Sequence, residues 1–96
     1  MANSINVLLD TPIQRGEQTI SEVTVRKPAA GELRGLTIQD IGSIKVDTMI
    51  KLLPRVTSPT LTEADCSAMD PADFTALSVE VAAFLLQTGK RPDSPA

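Results

Sequence analysis

Ninety-six residues, 42% of them hydrophobic and 22% charged, suffice for one modest core and are too few for two. With two Phe and no Trp or Tyr that core has to be aliphatic, which favours small interdigitating helices over an aromatic-anchored pocket. A net charge of −3, with the nine basic residues scattered, argues against a nucleic-acid binder, and the absence of His removes imidazole-activated nucleophiles and imidazole-ligated metal sites.

Residues 1 to 4 read as a loose end. From Ile5 the odd positions Ile5, Val7, Leu9 and Ile13 are apolar, the alternation of a strand with one buried face. Gln14-Arg15-Gly16-Glu17 is the turn, because Gly16 can take the positive φ of a tight hairpin. On the return, Ile20 is followed by Val23 and Val25, so the apolar parity flips and a bulge is expected near Ser21 or Glu22. Residues 1 to 27 thus form an antiparallel hairpin that must lean on helices to be stable.

Pro28 ends the return strand and opens a short helix through Leu36, weakened by Gly31 and Gly35. Thr37 with Asp40 caps a turn carrying Ile38 and Ile41, which Gly42-Ser43 breaks. Val46, Met49, Ile50 and Leu53 recur at helical spacing, the core face of an amphipathic helix stopped by Pro54. Residues 55 to 60 form an extended connector. Two well-marked helix starts follow. Thr62 and Asp65 make a capping box with Leu61 stapled onto Cys66; Asp70 caps the second start, with Pro71 at the first helical position and Met69 stapled onto Phe74. The last helix should run from Pro71 to about Gln87, leaving residues 88–96 as a disordered polar tail on a single domain spanning 1–87. The fold class is α+β: a hairpin followed by three to four helices, the last long and apolar.

The chain offers few chemical tools. Cys66 cannot form an intramolecular disulfide, and Glu63 and Asp65 beside it oppose thiolate formation, so it reads as a small buried hydrophobe. The carboxylates of Glu63, Asp65, Asp70 and Asp73 cluster where helix N-termini attract negative charge, with a spacing that matches no calcium loop. Neither a catalytic site nor a metal or cofactor site is expected, and the chain reads as a soluble, intracellular non-enzyme without a leader or a membrane span.

The last helix stands out because it is apolar on nearly every side. Phe74, Leu77, Val81, Phe84 and Leu85 fall on one face, and Ala72, Ala76, Val79, Ala83 and Leu86 on another. Asp73, Glu80, Thr75 and Ser78 supply narrow polar seams. A short chain can cover one such face, so the small-residue face is the candidate partner-binding surface, open to a client helix or to a second copy.

Several stretches together resemble a known family. They are Leu9-Asp10-Thr11-Pro12-Ile13 with Gly16; Ile20, Val23, Val25-Arg26 and Pro28; Gly31-Glu32-Leu33-Arg34-Gly35-Leu36; Ile50-Lys51-Leu52-Leu53-Pro54-Arg55; Pro59 with Leu61-Thr62; and Asp70-Pro71 with Asp73. The pattern, across residues 5 to 86, is similar to the short tail assembly chaperones of contractile-tailed bacteriophages and Mu-like prophages, the phage tail protein E family. That resemblance implies a non-enzymatic role in the host bacterial cytoplasm: binding the tape measure protein and keeping it soluble while tail tube subunits polymerise around it. It also implies absence from the mature virion, and a longer frameshifted product that engages the tail tube protein. The alternative is a small structural subunit retained in the tail.

Overall fold

The computed structural model describes residues 4–85. Strands β1 (Ser4–Arg15) and β2 (Gln18–Arg26) form the expected hairpin, closed by Gly16 and Glu17. Gly16 has a φ of +61° while Glu17 stays at negative φ, the sign pattern of a type II′ turn. A third strand, β3 (Thr57–Ser58), pairs with the other side of β2, giving an antiparallel sheet in the order β1-β2-β3. The connector after residue 54 therefore contributes to the sheet, a pairing that two residues of sequence cannot announce.

The irregularity in the hairpin lies at the expected place along the ladder but on the opposite strand. Leu8 pairs with Glu22 and Ile13 with Ile20, so four residues of β1, Leu9 to Pro12, face Ser21 alone. The three extra residues reconcile two parities: β1 keeps its odd positions inward, whereas β2 changes from Val25 and Val23 to Ile20. An odd register offset is what lets Val7 oppose Val23 and Ile13 oppose Ile20 on the same face.

After β2 the anticipated helix from Pro28 shrinks to a single 3₁₀ turn, Ala30–Leu33, consistent with the cost of its two glycines. Helix α1 (Ile38–Gly42) starts as expected, with the Asp40 amide donating to Thr37 Oγ1 at 3.0 Å. It ends at Gly42 with Ser43 as its C-cap, as expected, and is followed by Ile44, whose φ of 57° is unusual for a β-branched residue. The Lys45 amide donates to Asp40 O and the Ile44 amide to Ile41 O, both at 3.0 Å, which is the Schellman arrangement with Ile44 in the left-handed position. Its partly buried side chain packs against the core, which offsets the backbone strain.

Helix α2 (Val46–Val56) corrects two expectations. It does not stop at Pro54, which is accommodated in the last turn, followed by Val56 in the core and Thr57 in β3. Its core face is Met49, Leu52, Leu53 and Val56, and Val46 is 58% exposed. Helix α3 (Glu63–Ala68) opens with the predicted capping box: Asp65 N donates to Thr62 Oγ1 and Thr62 N to Asp65 Oδ2, each at 3.0 Å. Helix α4 (Pro71–Leu85) completes the described chain. The expected helix end near Gln87 and the polar tail 88–96 lie outside the described residues.

Val23 and Val25 of the sheet, Ile41 of α1, Met49, Leu52 and Leu53 of α2, Leu61, and Leu77 and Val81 of α4 belong to one buried aliphatic cluster. The single face of the sheet thus packs on helices that supply most of the apolar volume, as an antiparallel sheet with one solvated side requires.

Candidate interaction surface on the last helix

Helix α4 begins where Asp70 Oδ2 accepts from the amides of Ala72 at 3.0 Å and Asp73 at 3.4 Å. Pro71 follows at a position whose missing N–H costs nothing. The next carboxylate leaves its own helix. Asp73 is 3% exposed, and its Oδ1 and Oδ2 accept the amides of Asp10 and Thr11, both at 2.9 Å. The three extra residues of β1 turn these two N–H groups towards α4 instead of a neighbouring strand, and one carboxylate satisfies both. Local sequence suggested only a helix-terminal role for Asp73. The signal for its long-range one was the uncompensated parity of the hairpin, which requires an irregular stretch with backbone donors to be met elsewhere.

This tie and the core fix the rotation of α4. Phe74, Leu77, Val81 and Phe84 are buried, together with Ala82 and with Ser78, whose Oγ donates to Phe74 O at 2.8 Å. The opposite arc carries Ala72, Thr75, Ala76, Val79 and Ala83, all exposed, with Val79 at 44%. At 100° per residue these five positions span roughly 100° of the helix surface without a charge among them. Four of the five proposed contact residues, Ala72, Ala76, Val79 and Ala83, therefore lie together on solvent, joined by Thr75, which the apolar pattern alone had placed in a seam. Leu86 lies outside the described residues.

The surroundings of α4 are acidic. From Val56 to Gly89 the chain has five carboxylates and no Lys or Arg. Among the described residues one guanidinium reaches them, that of Arg15, which pairs with Asp65 and also donates to Thr60 O at 3.0 Å. The Thr62 amide and Arg15 hold the Asp65 carboxyl below the usual range. Cys66 is buried, and burial, reinforced by Asp65 and Glu63, pushes its thiol up to about 11, so it stays protonated at neutral pH. Among the described residues, no group of three or more Cys, Asp or Glu is placed to hold a metal ion, and no helix is long and apolar enough to cross a membrane.

The exposed stripe of α4 is thus small-residued and uncharged in an acidic setting, and the comparisons give the family of the chain that carries it. Residues 6–86 match the family of phage tail assembly chaperone proteins described as E, or 41 or 14, and the chain belongs to that family. It is similar to tail assembly protein E of Escherichia phage P2, 46% identical over 84 residues that cover 86% of this chain and 92% of that protein. It is also 46% identical to tail assembly protein E′ of the same phage over 85 residues, 88% of this chain, and spans about 60% of the length of E′. No solved structure is significantly similar to it.

Proposed function

We propose that this chain is a non-enzymatic phage tail assembly chaperone that holds the tape measure protein through the exposed stripe of α4. It keeps that client soluble while tail tube subunits polymerise around it, then leaves. The observation that carries the reading is the uncharged arc of Ala72, Thr75, Ala76, Val79 and Ala83 in a member of the tail assembly chaperone family. Small side chains let two helix backbones approach closely, so such an arc suits a helical client. The acidic composition of the same half keeps a complex with an apolar client in solution.

The work is done in the host cytoplasm, and the mature virion lacks the chain. A longer product sharing this region reaches the tail tube protein; in support, proteins E and E′ of phage P2 match nearly equal shares of this chain, 86% and 88%, while the match covers 92% of E and 60% of E′.

Co-expression with the tape measure protein encoded by the same phage tests the reading. The expected result is a soluble complex that Ala83→Asp abolishes while the circular dichroism of the chaperone stays unchanged. Failure of the intact chain to retain any tape measure fragment would overturn it. Mass spectrometry of purified tails separates this role from that of a structural subunit, which would be found in the particle.

A further inference from the structure

On the side of α4 facing away from the stripe lies a second apolar feature. Val46 and Ile50 of α2, Met69, and Pro71 and Phe74 of α4 line an open groove of about 210 Å³ with Cys66 and Ser67 of α3. Phe74 sits roughly 180° around the helix from Ala83, so groove and stripe are separate surfaces. Val46 is the anomaly here, a large aliphatic that sequence periodicity assigned to the core and the structure leaves open on the groove wall.

Charge identifies the occupant. Met69 also walls an adjoining cleft lined by Asp70 and by Asp65, the latter paired with Arg15, and Glu63 lies one helical turn from Ser67 on α3. Lys45, which precedes α2, and Lys51 within it line a different cleft together with Asp40 and Asp47. The groove is therefore apolar within and acidic along its α3–α4 side. Apart from Met69 its walls are helical, and the amides of Asp65 in α3 and of Ala72 and Asp73 in α4 are already taken by Thr62 and Asp70. It offers no ladder of backbone partners to an extended strand, so an occupant must satisfy its own backbone, as a helix does.

We propose that this groove is a second docking surface, and that it takes an amphipathic helix of a partner protein with Lys or Arg flanking the aliphatic side chains it inserts. The inference stands apart from the tape measure reading, which uses the stripe.

Two synthetic peptides about 18 residues long, enough to hold a helix, test it on the intact chain; they share one leucine spacing and differ only in Lys or Glu at the flanking positions. The lysine peptide should bind at least about tenfold tighter than the glutamate peptide, weaken as salt rises, and shift amide resonances of Val46, Ile50 and Met69. Val46→Asp should weaken it about tenfold or more, with helicity unchanged because Val46 is exposed, while Ala83→Asp should leave it intact. Val46→Asp adds negative charge, so binding that it preserves or strengthens would be diffuse electrostatic attraction and would overturn the proposal. Equal affinity for both peptides, or resonance shifts confined to the stripe, would also overturn it; the shift map on the unaltered chain needs no variant to fold.

Discussion

Two of the polar ties that fasten the hairpin to the helices are opposites. At β1 a buried carboxylate, Asp73, accepts two backbone amides. At the end of β2 the tie is open to water. Arg26 pairs with Glu32 and donates to Arg55 O at 2.8 Å, while Arg55 donates to Glu32 O at 2.7 Å and Arg34 O at 3.0 Å. Both join strand to helix across a long stretch of sequence. In water each lost bond of the second web is replaced by a solvent bond, so little is forfeited. At β1 the carboxylate itself is buried, so its loss removes two charge-assisted bonds made at a part-buried site. The number of polar contacts is therefore a poor guide to what holds this fold; their burial decides.

Substitutions can break that contrast, in descending order of effect. Leu77→Ala, deep in the core that both ties serve, should cost about 2 to 5 kcal/mol in denaturant unfolding, and sets the scale. Asp73→Ala should cost about 3 kcal/mol, from two charge-assisted bonds lost at a part-buried site, with Asp73→Asn intermediate because one amide oxygen cannot serve both donors. A loss below about 0.5 kcal/mol for Asp73→Ala would erase the distinction between the two fastenings.

Glu32→Gln should cost no more than about 1 kcal/mol, since the Arg26 pair is screened by solvent. Its signature is in the pH dependence. Arg26, with help from the Ala29 amide, holds the Glu32 carboxyl at about 2, down from an ordinary 4.5. A depressed carboxyl contributes fully above its unfolded value, and the contribution fades as pH falls towards the folded one. The melting-temperature gap between the parent chain and Glu32→Gln should thus be full above pH 4.5 and close as pH approaches about 2. Smallest in stability is Ala83→Asp, expected within about 0.5 kcal/mol because the stripe is solvated, although the proposed client contact is lost. If Ala83→Asp unfolds the protein, α4 is rotated differently from the arrangement described.

Several features could be read before any coordinates. The helix starts at Thr37, Thr62 and Asp70 are local contracts between a side chain and an amide two or three residues on. The turn at Gly16 needs only a residue that tolerates positive φ. On α4, Phe74, Leu77, Val81 and Phe84 are buried while Ala72, Ala76, Val79 and Ala83 are exposed, because the larger side chains on one side gain more from leaving water. Periodicity misjudged α2, where Val46 fits the apolar spacing as well as Met49 does. Leu52 and Val56 completed a better face, and only one face could meet the sheet.

What the sequence determined alone is the hairpin, the starts of α1, α3 and α4 and the surplus of apolar helix surface, all set by interactions within about one turn of chain. The tertiary structure decided how those elements are rotated and joined: Asp73 serving amides 62 and 63 residues away, β3 completing the sheet, Ile44 strained into the left-handed region, Val46 left on a groove wall. Each depends on which distant groups arrive alongside, and burial gives that arrival its energy. No local propensity encodes it.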